Sequence, residues 1–89
     1  MNYRVKLSKK ASKFLTKLDK PACKVLLNWI WQNLEGTSKL RLHGKALTGN
    51  LKGYWRYRVG NYRLIAKICD DKILIYIISI DNCRNVYRQ

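Results

Sequence analysis

The order of hydropathy patterns predicts an α+β domain of the order β-α-α-β-β-β, with a helical hairpin packed on one face of an antiparallel sheet. Three observations carry this expectation. Two amphipathic segments, separated by a short break, follow an initial strand-like stretch. Three more strand-like runs follow in the second half, joined by connections so tight that only antiparallel pairing suits them. The chain has 89 residues, 47% of them hydrophobic, which is the length of a single domain, 1–89, with enough apolar material for a modest core.

The elements can be justified in turn. "YRVKL" alternates apolar and basic residues and predicts a first strand over 2–7. Ser8 can cap a helix whose apolar positions, Ala11, Phe14, Leu15 and Leu18, are spaced i, i+3, i+4, i+7, with Lys9, Lys10, Lys13 and Lys17 on the polar side. "LDKPA" is a break and a restart, because Asp19 can cap and Pro21 is tolerated in a first helical turn. The second helix runs to about Leu34. Its apolar residues, including Val25, Leu26, Leu27, Trp29, Ile30 and Trp31, nearly encircle it, so it is either sandwiched or covered by a partner. Gly36 is free to take a left-handed conformation and end it. Residues 36–53 read as a long basic loop. Strands are predicted over Tyr54–Val59, Tyr62–Cys69 and Lys72–Ile80, with turns at Gly60-Asn61 and Asp70-Asp71.

Nineteen Lys and Arg against five Asp and Glu leave a formal net charge of +14. That imbalance points to a polyanion or an acidic protein as partner. Cys23, Cys69 and Cys83 are odd in number and lack CxxC spacing, so neither a disulfide framework nor a zinc site is suggested, and a reducing cytosol suits all three. No run has signal-peptide or membrane-spanning character, and "ILIYIISI" reads as a buried strand. No metal or small-molecule cofactor is expected. The five carboxylates form no pair suited to two-metal phosphodiester chemistry. The only histidine, His43, lies in a loop, where a structural or merely exposed role is commoner than catalysis.

The distinctive stretch is "GNLKGYWRYRVGNYRLIAKI". Side chains alternate along a strand. Trp55, Tyr57 and Val59 therefore suit the core, while Tyr54, Arg56 and Arg58 decorate the opposite face. On the next strand Tyr62, Leu64, Ala66 and Ile68 form the apolar set, leaving Arg63, Ile65 and Lys67. Arg56, Arg58 and Arg63 can thus converge on an open face with no acidic cross-strand partner, an arrangement of like charges that repel one another. Lys39, Arg41, Lys45, Lys52 and Lys67 add positive charge. Such a surface suits a phosphodiester backbone, which guanidinium groups match bidentately, and Tyr54 can stack on an unpaired base. Beyond the last strand come Arg84 and Tyr87, the latter either a core anchor or a phenol at the groove edge.

"KFLTKLDK", "NLEG", "LRLHGKALTGNLKGYWRYRVGNYRLIAKI" and the terminal "VYR" resemble, in order and over essentially the whole chain, the RelE/ParE superfamily of bacterial toxins from toxin–antitoxin pairs, on the RelE side. The resemblance implies a small cytoplasmic, metal-independent endoribonuclease that cleaves mRNA in the ribosomal A site and is restrained by a cognate acidic antitoxin. It implies that a 2′-hydroxyl of the RNA attacks the adjacent phosphate while basic residues stabilise the developing charge. By position it assigns catalysis to Arg56, Arg58, Arg63, Arg84 and Tyr87, with Lys45, Lys52 and Tyr54 as RNA-binding residues. Many relatives read Gly-His-Arg-Arg-Glu-Val-Tyr where this chain has Asp81, Asn82, Cys83, Arg84, Asn85, Val86 and Tyr87. The substitution removes the obvious imidazole acid–base, and arginine cannot readily act as a base near neutral pH. Electrostatic stabilisation is therefore the role expected of the arginine set. Two other readings stay open: a ParE-type inhibitor of DNA gyrase, and a catalytically weakened toxin that still binds its antitoxin.

Overall fold

The computed structural model describes residues 2–37 and 44–82. The elements run β1 (Arg4–Leu7), α1 (Lys9–Lys17), α2 (Lys20–Asn33), β2 (Gly44–Ala46), a 3-10 turn (Gly49–Leu51), β3 (Tyr54–Val59), β4 (Tyr62–Cys69) and β5 (Leu74–Asn82). Both helices pack on one face of a sheet ordered β1-β5-β4-β3-β2, the α+β class expected. Two details differ from expectation. The sheet is mixed, because β1 pairs parallel with β5. Tight turns oblige β3, β4 and β5 to run antiparallel, whereas the long excursion between β1 and β5 leaves that direction free. A short extra strand, β2, also forms within the stretch read as loop and pairs antiparallel with β3. Its three residues offer too little periodicity to be read locally. Gly44 is required there, since a Cβ would lie 2.3 Å from the Arg56 carbonyl oxygen and 2.6 Å from Trp55 Nε1.

Ser8 organises the first helix. Its hydroxyl accepts from the Ala11 N–H at 3.0 Å and donates to the Ile78 carbonyl at 2.7 Å. That carbonyl belongs to a bulge: Ile65 pairs with Ser79 and Ala66 with Ile77, so Ile78 is the extra residue of β5. Asp19 takes the N-cap position of α2, but its side chain makes no capping hydrogen bond, and Pro21 sits in the first turn. Gly36 adopts φ 76°, as expected beyond a helix end. The end of α2 also covers the outer edge of β1. Glu35 accepts from the Val5 N–H at 3.0 Å and pairs with Arg4 Nε at 2.7 Å, while Tyr3 exchanges backbone bonds with Gly36 and Thr37. An otherwise open strand edge is thereby satisfied.

The core gathers Ala11 and Leu15 of α1, Leu26 and Ile30 of α2 with Leu34, and Tyr57, Val59, Leu64, Ala66, Ile75, Ile77 and Ile80 of the sheet. Trp29 packs on Tyr57 with ring centroids 5.9 Å apart. The second helix is not sandwiched. Val25 and Trp31 remain 60% and 62% exposed.

Candidate functional site

Strand register sets three rows of side chains on the sheet face opposite the core. The first row is Arg58 of β3, Arg63 of β4 and Asp81 of β5, each directly opposite the next. The second is Lys45, Arg56, Ile65 and Ser79, and the third is Tyr54, Lys67, Tyr76 and Lys6. Successive rows lie about 7 Å apart, two residues along a strand. Ile65 is buried yet stands outside the core cluster, which makes it an apolar floor for this face. Arg56 and Arg63 are half-buried, while Arg58, Lys45 and Lys67 are exposed.

Arg56, Arg58 and Arg63 thus share one face with Tyr54, as alternation predicts, and Lys45, expected in a loop, joins them through β2. One expectation is corrected: Arg63 does have a carboxylate partner. Its Nη2 lies 3.8 Å from Asp81 Oδ2, with the two side chains 29% and 44% exposed. The bulge is the reason. Strict alternation from Ile75 and Ile77 would send Asp81 to the core side, but the extra residue Ile78 shifts the phase, so Ile80 enters the core and Asp81 joins Arg63. Arg63 Nε is nevertheless buried without a hydrogen-bond partner.

Among the described residues, Asp81 is the sole carboxylate on this face. Asp19 occupies the N-cap position of α2, Glu35 holds the β1 edge, Asp70 accepts from the Tyr3 hydroxyl and Asp71 lies in the β4–β5 turn. Tyr76 and Lys6 extend the face beyond the residues singled out from sequence. The alternation of "YRVKL" carries the signal for Lys6, whereas Tyr76 needs the β4–β5 register. Lys52 is exposed at the end of the 3-10 turn, two residues before Tyr54. Arg84, Tyr87 and His43 lie outside the described residues. No cluster of three His, Cys, Asp or Glu side chains among the described residues could hold a metal ion, and no described helix is long and apolar enough to cross a membrane.

A second surface lies on the helical side. A groove of about 650 Å³ runs beside α2, lined by Leu15, Leu18, Cys23, Leu27 and Trp31 with Lys20 and Lys24 among its polar members. A smaller one of about 80 Å³, between α2 and β1, shares Leu27 and Trp31. Trp31 thus separates two apolar depressions, whereas Trp29 is committed to the core.

Comparison with known proteins places this arrangement. Residues 5–87 match the family described as the ParE toxin of the type II toxin-antitoxin system, parDE. No curated protein sequence matches significantly. Among solved structures, the RelBE2 toxin-antitoxin complex from Mycobacterium tuberculosis contains a chain that is 28% identical, with a TM-score of 0.81 over 92% of this chain and 99% of that one. The archaeal RelE-RelB complex from Pyrococcus horikoshii gives 26% identity and a TM-score of 0.68 over 93% and 97%. The isolated RelE toxin of E. coli shares the fold, at 20% identity and a TM-score of 0.70 over 97% of each chain. With its sequence matched over residues 5–87 and its fold shared with these toxins, the chain belongs to the ParE toxin family of type II toxin–antitoxin systems, within the RelE/ParE superfamily.

Proposed function

We propose that this protein is a toxin that cleaves mRNA on the ribosome and acts in the cytoplasm, with its open basic face as the RNA-binding surface. The observation that carries the reading is the direct cross-strand pairing of Arg58 with Arg63, flanked by Arg56 and Lys45, on a face with one carboxylate among the described residues. Like charges set opposite one another weaken a sheet. A polyanion bound across them relieves that repulsion. In the proposed reaction the 2′-hydroxyl attacks its own 3′-phosphate and the 5′-oxygen of the next nucleotide leaves, so a 2′,3′-cyclic phosphate and a 5′-hydroxyl form without added water. Arg56, Arg58 and Arg63 bind the phosphate and stabilise the charge that accumulates on its oxygens. Arg84 and Tyr87 complete the set by family position. Lys45 and Lys52 contact the backbone, and Tyr54 stacks on a base.

The proposed partner is an acidic antitoxin. Its support is the exposed Trp31 and Val25 beside an apolar groove edged by Lys20 and Lys24, together with the toxin–antitoxin complexes in which similar chains were solved. A gyrase-directed activity is the second reading, favoured by the ParE description of the matched family. Primer extension on mRNA translated in a purified system, with and without the protein, separates the two. Codon-phased cuts support ribonuclease action. Their absence, with gyrase-dependent DNA breaks in a parallel reaction, supports the second. Absence of both leaves a toxin that binds its antitoxin but has lost cleavage.

A further inference from the structure

The first row of the basic face contains an anion of the protein's own. Arg63 is bracketed by Arg58 on one side and Asp81 on the other. The contact with Asp81 is loose: 3.8 Å between Nη2 and Oδ2 is about 1 Å longer than a charge-assisted hydrogen bond. The guanidinium's donor fork is largely unused, and Nε is buried without a partner. A half-exposed carboxylate at that distance is screened by water and contributes little to stability. It still lowers the positive charge that Arg58 and Arg63 present together. A phosphate, by contrast, can accept from both Nη groups at once, which the single Nη2 contact with Asp81 does not do.

We propose that Asp81 is an internal counter-anion of the binding face, held beside Arg63 in the unbound protein and exchanged for a phosphate of the nucleic acid on binding, so that it restrains the protein's affinity for polyanions. This rests on reading the face as a phosphodiester-binding surface. Asp81 is here neither a catalytic residue nor a stabilising partner. It occupies the place of one phosphate and makes binding an exchange of anions. The bulge at Ile78 delivers it, because without that phase shift the carboxylate would not share a face with Arg63.

The test measures binding of a single-stranded 2′-O-methyl oligoribonucleotide of mixed sequence, which 2′-hydroxyl attack cannot cleave. Asp81→Asn and Asp81→Ser are compared with Asp71→Asn, which removes the same charge from the turn at the other end of the sheet. Both Asp81 variants should bind on the order of fivefold tighter or more at fixed moderate salt, the scale of one close charge contact. The plot of log K against log salt should steepen by about 0.7, the increment for one more single-strand phosphate neutralised. Asp71→Asn should change affinity by less than about twofold, since a charge more than a Debye length away is screened. In an Arg63→Gln background the gain from Asp81→Asn should disappear. Equal effects of Asp81→Asn and Asp71→Asn, a gain that survives Arg63→Gln, or no binding by any form would each overturn the proposal. Cleavage on the ribosome is measured separately. Tighter binding without codon-phased cuts keeps this inference and removes the ribonuclease reading, whereas Arg63-dependent cuts with unchanged binding in the Asp81 variants do the reverse.

Discussion

Arg63 shows how much of a side chain's role depends on its immediate neighbours. Its placement opposite Arg58 follows from alternation on either side of the tight Gly60-Asn61 turn, but its partner Asp81 does not. Loss of a pair this long and half-exposed has a small effect on folding, so Arg63→Ala should cost less than about 1 kcal/mol. Growth inhibition by the variant should fall sharply at equal expression, and full toxicity would remove Arg63 from the site. Arg58 makes the complementary case. Directly opposed like charges are destabilising and threonine suits a strand, so Arg58→Thr should raise thermal stability by a few tenths of a kcal/mol while weakening RNA binding. A variant that is both less stable and equally avid would contradict the view that this pair is kept for its ligand.

At the scale of elements, Ser8 joins a helix start to a strand defect. One hydroxyl caps α1 and satisfies the carbonyl of the bulged Ile78. Ser8→Ala removes both bonds, and the expected cost is about 1–2 kcal/mol, measurable by denaturant unfolding. A cost near zero would mean that water replaces the hydroxyl at both ends. The second helix makes a different point. Its apolar periphery suits either a sandwich or a covering partner; packing buries Leu26 and Ile30, half-buries Cys23, Leu27 and Trp29, and leaves Val25 and Trp31 outward. Trp31→Ala should therefore change the isolated toxin's stability by no more than about 0.5 kcal/mol. It should weaken antitoxin binding by a margin that persists in high salt, because the lost contact is apolar. Titration of the toxin with antitoxin in high salt, followed by tryptophan emission, reads this out. Binding that vanishes with salt and leaves emission unchanged would show an interface held by charge instead.

Across the whole molecule the two candidate surfaces lie on opposite sides, the arginine rows on the open sheet face and the Trp31 grooves on the helical face. The Cα extents are 35 × 30 × 23 Å, so an antitoxin occupying both must span the thickness of the domain, roughly seven extended residues at about 3.3 Å each. The net charge of +14 belongs to this scale too: under the proposed function it steers association with the RNA and makes that association steeply dependent on salt. Lys45 is paired with Arg56 in the second row of the face, and Lys52 is exposed at the end of the 3-10 turn, two residues before Tyr54. Replacing either with alanine should flatten the salt dependence of RNA binding by about 0.7 in log–log slope, if each neutralises one phosphate of a single strand. An unchanged slope would place that lysine off the path of the RNA.

Local chemistry alone was enough to read the helical hairpin, the three consecutive antiparallel strands and the face on which the arginines lie. Periodicity, capping residues and tight turns are properties of a few neighbouring residues, and "YWRYRVGNYRLI" states its alternation openly. The residues that escaped such reading depend on contacts distant along the chain. The parallel partnership of β1 with β5 depends on a connection through most of the chain, and the short β2 exists because β3 is there to pair with it. The turn before β5 holds Ile73 at φ 52°, a conformation its side chain disfavours, so the strand starts at Leu74, two residues after the expected Lys72. The bulge mattered most. An extra residue inverts the side-chain phase of everything after it, and whether Ile78 is extra is decided by its pairing partner β4 and by Ser8 rather than by its own sequence. That phase shift is why Asp81 faces Arg63, since a strand's alternation is local while its register belongs to the sheet.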